Sequence, residues 1–318
     1  MSTRRFIHES RLPVDAATAF AWHARPGALP RLIPPWENVA VESATGGIED
    51  GAEVVLRLKV GPVALRWVAE HKEYREGASF RDDQRSGPFA RWEHTHRFLA
   101  DDGAASRLRD DVIYKLPFGP LGALGGSSVR GKLRSQFRFR HAVTRGDLQL
   151  HARHADEPRR TVAISGASGL VGSQLAALLT TRGPPVLRLV RRPAKAPDEL
   201  HWDPAAGLVD PEGLPPFDAL VHLAGENIGA GRWTKERRAA IRTSRVDGTA
   251  ALVASLARMP TPPSVVVCAS AVGWYGERGD EVLDESAAAG EGFLAEVCRD
   301  WEKATAGAEA FGARVVNT

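Results

Sequence analysis

The feature that most constrains this 318-residue chain is a run in which the apolar segment Thr161 to Ser165 passes directly into Gly166-Ala-Ser-Gly169-Leu-Val-Gly172, within which a helix-forming stretch, Leu170 to Arg182, begins. Glycines three apart between a strand and a helix have separate physical reasons. Gly166 permits a tight turn, Gly169 lets backbone amides come close to a pyrophosphate, and Gly172 lets the helix pack closely on the strand. The helix N-terminus adds a partial positive charge, so Ser168, Leu170 and Val171 join the three glycines as an expected phosphate cradle for a dinucleotide. Gly183 follows where such a helix should stop.

A second strand, Val186 to Val190, ends in Arg191-Arg192, at the place where an NAD-selective protein presents an acidic residue to the ribose 2′-hydroxyl. Two guanidinium groups there suit a 2′-phosphate, so the expected cofactor is NADP(H). A solvated loop is the plainer alternative for the same two arginines. Further on, Ala219 to Leu223 runs into Ala224-Gly225-Glu226-Asn227 and Ser264 to Ala269 runs into Ser270, with a Lys- and Arg-rich helical stretch, Trp233 to Leu256, between them. Strands alternating with helices, their ends lined by small residues, predict an α/β Rossmann domain with a doubly wound parallel sheet over residues 161–318.

The polar stretch His151 to Arg160 has no apolar periodicity, which sets an expected division into a first domain at 1–152, a linker at 153–160 and the second domain. The first domain is mostly strand-like. Arg4 to Leu12, Val39 to Ser43, Glu53 to Val60, Val63 to Glu73, Ala78 to Gln84, Phe89 to Leu99 and Ser106 to Leu116 are separated by turn residues, and several alternate with period two. Two helical stretches interrupt them. One lies around Asp15 to His23, and the other, Val129 to Val143, places Val129, Leu133, Phe137 and His141 on one stripe. His94 and His96 share a strand face and His71 sits on another strand, but no third ligand stands at diagnostic spacing, so no metal site is expected. Arg130, Lys132, Arg134, Arg138 and Arg140 read as a solvated helix face.

Composition narrows the classes. Basic residues number 42 against 39 acidic, a balance that does not imply nucleic-acid binding. The uncharged stretch Leu116 to Val129 is too short to cross a bilayer as a helix, and MSTRRFIHES lacks the apolar core of a secretory leader, so the expected address is cytoplasmic. Cys268 and Cys298 are the only cysteines, in no CxxC pair, and reduced thiols are expected.

Two resemblances follow from these residues. GASGLVGS, HWDP at 201–204, VHLAGENI at 221–228, RWTKERRAAIRTSRVDGT at 232–249, SAVGWYG at 270–276 and FLAEVCRDWE at 293–302 together resemble the extended or atypical short-chain dehydrogenase/reductases labelled sugar-nucleotide epimerase-like. The order of strand, helix, strands and long final helix over residues 3–150, with its opening FIHESRLPVDAATAFAWHARPGALPRLIPPW, resembles the SRPBCC or START-like helix-grip domains, including polyketide-cyclase and dehydrase relatives. The first resemblance implies NADP(H) with Ser168 to Val171 at the pyrophosphate, Arg191 near the 2′-phosphate, and Leu223, Ala224, Gly225 and Glu226 along the adenosine side. The second implies an α+β sheet curled around the last helix, with an apolar cavity for a small or lipid-like ligand.

The catalytic pattern departs from the dehydrogenase family. Its Tyr-x-x-x-Lys pair would fall at Phe293 and Val297, and ungapped alignment on Tyr275-Gly276 puts Ala271 at the usual Ser or Thr. Ser270 is the remaining catalytic candidate, with Tyr275 and Glu296 less secure in proton transfer. Extended members also continue beyond the strand beginning near Arg314 with a substrate lobe, so the sheet is expected to be incomplete at its end and to self-associate through an open edge. The leading expectation is an oxidoreductase or epimerase acting on a small carbonyl or hydroxyl substrate. Its rival is a non-catalytic NADP(H)- and ligand-responsive regulator. A cyclase or dehydratase step by the first domain is a third reading, for which residues 1–150 show no acid–base pair by spacing.

Overall fold

A computed structural model describes residues 3–60, 62–117 and 126–318, so Gly61 and most of the uncharged stretch after Leu116 lie outside the described residues. The chain forms two compact units, one of residues 1–157 with 177–183 and the other of residues 158–176 with 184–318. Among the described residues no helix is long and apolar enough to cross a membrane.

In the first unit, β1 (Arg4–Leu12), β2 (Val39–Thr45), β3 (Glu53–Val60), β4 (Val63–Arg75), β5 (Ser79–Ser86), β6 (Arg91–Ala100) and β7 (Ser106–Lys115) form one antiparallel sheet in the order β1-β7-β6-β5-β4-β3-β2. Helices α1 (Ala16–His23), α2 (Ala28–Leu32) and α3 (Gly126–Arg153) complete the unit. This is the expected helix-grip architecture. Period-two alternation turns Trp92, His94, His96 and Phe98 of β6 inward, and Leu108, Asp110, Val112 and Tyr114 of β7 beside them. Against that face α3 lays Leu133, Phe137, His141, Thr144 and Leu148, a stripe at intervals of three and four. The α1 cap follows from Asp15, whose carboxylate accepts from the Thr18 amide at 2.8 Å. Arg31 of α2 grips Asp147 of α3 through two hydrogen bonds, at 2.9 and 2.6 Å.

Two expectations for α3 change. The helix is longer than the apolar stripe suggested and runs to Arg153, because polar residues continue a helix whose inner face is already packed. Arg130, Lys132, Arg134 and Arg138 are exposed, but Arg140 is half-buried, donates to the Leu32 carbonyl at 3.2 Å and lies 5.3 Å from the Phe137 ring centre. Burial lowers the Arg140 pKa, so that residue belongs to the helix's inner edge.

In the second unit, β8 (Val162–Ser165), β9 (Val186–Val190), β10 (Glu199–Asp203), β12 (Ala219–His222), β13 (Val265–Cys268) and β14 (Arg314–Asn317) are parallel, in the order β10-β9-β8-β12-β13-β14. That is the doubly wound order, reversing direction at β8. A short strand, β11 (Gly207–Leu208), pairs antiparallel with β10 at one edge, and β14 stands at the other. Helices α4 (Leu170–Arg182), α5 (Lys235–Leu256) and α6 (Phe293–Ala306) make the crossovers. The β10–β11 hairpin and α6 carry no element in the sequence reading. The hairpin is too short for periodicity to register, yet Trp202 and Leu208 sit in the same core as Leu187, Leu220, Leu252 and Val266.

Phe137 is fully buried between α3 and the sheet. Phe137→Ala should destabilise the first unit by about 3–5 kcal/mol in urea unfolding, whereas Arg134→Ala on the exposed face should stay within about 0.5 kcal/mol.

Candidate dinucleotide site and a buried histidine–carboxylate cluster

The switch point of the second sheet falls between β8 and β12, where chains leaving adjacent strands separate and a crevice opens over their carboxyl ends. Gly166 turns there with φ +72°, and a Cβ on it would stand 2.9 Å from the Leu223 carbonyl and 3.0 Å from the Ala224 amide nitrogen. Only glycine lets this turn lie against the chain leaving β12. A Cβ on Gly172 would approach the Gly166 oxygen to 2.2 Å, so the first turn of α4 needs glycine as well. Gly169 is under milder constraint, 3.2 Å from the same oxygen, and its openness leaves space over the helix start. Leu170 and Val171 there are 88% and 64% exposed. An open cradle with the unpaired amides of a 13-residue helix, α4, is a fit for a diphosphate.

The floor of the crevice is a buried polar chain. Ser165 Oγ accepts from the amides of Leu223 at 3.1 Å and Ala224 at 3.3 Å, and lies 2.6 Å from His222 Nδ1. With two amides donating to it, the hydroxyl gives its own proton to Nδ1. His222 therefore carries its proton on Nε2 and donates to Thr249 Oγ1 at 3.0 Å, which also accepts from Trp301 Nε1 at 2.9 Å. Burial lowers the His222 pKa to about 4. Sequence reading named Leu223 to Glu226 but missed Ser165, His222 and Thr249, which are distant in the chain and unremarkable in pattern.

The flanking segment is held just as firmly. Glu226 N donates to Ser244 Oγ at 3.0 Å, its carboxylate pairs with Arg237 at 2.7 Å, and its carbonyl accepts from Arg245 at 3.0 Å. Gly225 faces that Arg245 guanidinium. Beyond β9 the two arginines part. Arg192 makes two bonds of 2.7 Å to Glu199, and that hydrogen bonding, with the Lys195 amide, holds the Glu199 carboxyl down to about 2. Arg192 therefore ties β9 to β10. Arg191 is exposed and makes no ion pair among the described residues.

Past β13, Ser270 donates to Glu302 of α6 at 2.5 Å. Tyr275 ends a 3-10 turn, Val272–Tyr275, and no hydrogen bond joins it to Ser270 among the described residues. Glu296 is exposed, while Val297 lies with Cys298, Trp301 and Thr305 on the buried face of α6. Phe293 packs on Trp233, ring centres 5.8 Å apart. Glu302 is the partner that the sequence did not reveal, because it stands 32 residues from Ser270.

The first unit holds a second concentration of chemistry. His94 and His96 of β6 lie between Asp82 of β5 and Asp110 of β7, with His141 of α3 reaching Asp110 Oδ2 at 2.5 Å and Ser10 of β1 reaching His141 Nδ1 at 2.6 Å. Phe80 stacks on His96 and Phe137 meets His94 edge-on, so two apolar clusters close on the polar one from either side. Where the resemblance implied an apolar interior, its middle is ionisable. Burial alone would lower the His94 pKa, but Asp82 and Asp110 raise it to about 9. The same burial works against both carboxyls, and the imidazoles hold them well below the ordinary value. His71 stands apart, its Nδ1 3.3 Å from the Ala52 carbonyl.

Comparison with known proteins agrees with both halves. Residues 162–295 match the NAD dependent epimerase/dehydratase family, and residues 12–138 match the polyketide cyclase / dehydrase and lipid transport family. An epimerase family protein of Mycobacterium bovis is 46% identical over 155 residues, covering 49% of this chain and 51% of that protein. One from Bacillus subtilis is 31% identical over 160 residues, covering 49% and 52% respectively. The crystal structure of a nucleoside-diphosphate sugar epimerase from Corynebacterium glutamicum matches with 34% identity and a TM-score of 0.82, over 98% of this chain and 64% of that one. This chain spans about half the length of the curated relatives it matches.

His222 titrates near 6.5 unfolded and near 4 folded, so its neutral burial stabilises above pH 6.5 and that contribution is lost as pH falls toward 4. The loss amounts to about 3 kcal/mol. Unfolding of the parent between those pH values should show this decline, and His222→Gln should flatten it while lowering stability at pH 7.

Proposed function

We propose that the second unit binds NADP(H) across β8 and β12 and supports oxidoreduction or epimerisation of a small carbonyl or hydroxyl substrate, and that the first unit binds a small molecule. The observation that carries the cofactor reading is the close backbone approach at Gly166 and Gly172, where a Cβ would collide with neighbouring main chain, together with the open space over Gly169 at the α4 N-terminus. Backbone amides of Ser168, Leu170 and Val171 hold the diphosphate, while Gly169, whose own amide donates to the Gly166 carbonyl, lines the cradle. Arg191, unlike Arg192, is free to take a 2′-phosphate. When bound, the nicotinamide supplies hydride exchange.

The remaining chemistry belongs to the chain's own residues. Ser270 donates to Glu302, which leaves its Oγ able to accept a proton from a substrate hydroxyl. A substrate hydroxyl proton passes to Ser270 Oγ as the Ser270 proton passes to Glu302 Oε1, and the reverse sequence returns it. This replaces the Tyr-Lys pair for which α6 offers only Phe293 and Val297. The buried Val297 favours a second reading, a regulator that binds cofactor without turnover.

Titration of the full chain with NADPH and NADH by calorimetry tests the cofactor reading. We expect NADPH to bind more tightly, Gly169→Asp to abolish binding, and Arg191→Glu to reduce the NADPH preference about 10- to 100-fold, the range of one charge-assisted contact. Folded protein that binds neither nucleotide would overturn it. Ser270→Ala and Glu302→Gln should leave NADPH affinity within about 2-fold, the range of a substitution outside the binding contacts. Both should slow NADPH consumption in a carbonyl screen that the parent passes, and a parent that binds without consuming across the screen favours the regulator.

A further inference from the structure

The cluster in the first unit has a geometry that ion pairing alone does not account for. Asp82 Oδ1 lies 3.3 Å from His94 Nδ1 and 3.2 Å from His96 Nε2. The three groups can present ligand atoms all within 4.8 Å of one another. A metal with bonds of about 2.0–2.1 Å separates tetrahedral ligand atoms by about 3.3 Å, so both spacings to Asp82 already match. The second nitrogen of each ring, His94 Nε2 and His96 Nδ1, turns to Asp110 Oδ1 at 2.9 and 2.6 Å. Ligating imidazoles ordinarily donate their other N–H to such an outer carboxylate. Asp110 is nearly fully buried and is itself oriented by His141.

Proton count separates the two accounts. If these contacts were all hydrogen bonds, four N–H groups would converge on two oxygens, which requires both rings to be charged with their centres 3.9 Å apart. One divalent cation on the Asp82 side satisfies the same positions with both rings neutral, their lone pairs toward the ion and their protons toward Asp110. Two imidazoles and a carboxylate suit Zn²⁺, Co²⁺ or Fe²⁺ better than Mg²⁺ or Ca²⁺. The Asp82 side chain is 19% exposed against 3% for His94 and Asp110, so the accessible side of the site is the one a fourth, oxygen ligand would occupy.

We propose that Asp82, His94 and His96 form a three-ligand site for a divalent transition metal of the zinc class, with Asp110 as the outer carboxylate that positions both rings. The register makes the set possible, since Asp82 pairs across the sheet with His94 and His96 with Asp110.

The full chain, stripped with a chelator, is titrated with Co²⁺ and then Zn²⁺, following ligand-field absorption and metal content after dialysis. The expected result is one equivalent of Co²⁺ with visible absorption that Zn²⁺ displaces. His94→Gln with His96→Gln should abolish it, Asp82→Asn should weaken it, Asp110→Asn should lower affinity about 10- to 100-fold, and His201→Gln in the second unit should change nothing. Folded parent that retains no stoichiometric Co²⁺ or Zn²⁺ overturns the proposal whatever the variants do. So does a double variant that keeps the parent's absorption.

Discussion

The second unit depends on one backbone approach: the turn after β8 lies within van der Waals reach of the chain leaving β12. Everything at the crevice is arranged around it. Gly166 makes the approach sterically possible, and Ser165, one residue earlier, makes it favourable by accepting hydrogen bonds from the Leu223 and Ala224 amides at its hydroxyl. Those two bonds fix the Ser165 proton, which fixes the His222 tautomer, which in turn sets the donor to Thr249. The cradle for a diphosphate is thus braced from below by a chain of neutral hydrogen bonds reaching Trp301 on α6. A polar core of this kind is stable when its groups are paired, and Ser165, His222, Thr249 and Trp301 each have a partner here.

The first unit answers a different problem. Its sheet turns His94, His96, Asp82 and Asp110 toward the helix side, where His141 of α3 joins them and unpaired charge is strongly disfavoured. The solution is spatial alternation of carboxylate and imidazole, enclosed by Phe80 on one side and Phe137 on the other. Such a cluster is an expensive way to hold a sheet to a helix, since hydrophobic residues of similar volume do this at least as well. Its persistence in the interior is what directs attention from packing to chemistry.

Much of the fold was legible because burial imposes periodicity. Seven strands and the stripe on α3 follow from alternation and from intervals of three and four, and the strand–glycine–helix run follows from the geometry of a phosphate turn. The β10–β11 hairpin was not legible, since two- and five-residue strands leave no period to detect. Arg191 and Arg192 looked equivalent, and only the fold brings Glu199 to one of them. His94 and His96 were visible as a pair on one face, but Asp82, Asp110 and His141 come from three other elements, and no spacing along the chain connects them.

What the sequence alone determined is therefore local and periodic: two domains, the type of each, and the glycine turn at residues 166–172. What the tertiary structure decided is partnership. Ser270 with Glu302, Ser165 with His222, and two histidines with two aspartates are joined by sheet order, cross-strand register and helix placement. Those depend on how a whole domain buries its apolar surface, and that long-range balance is written in no single stretch of residues.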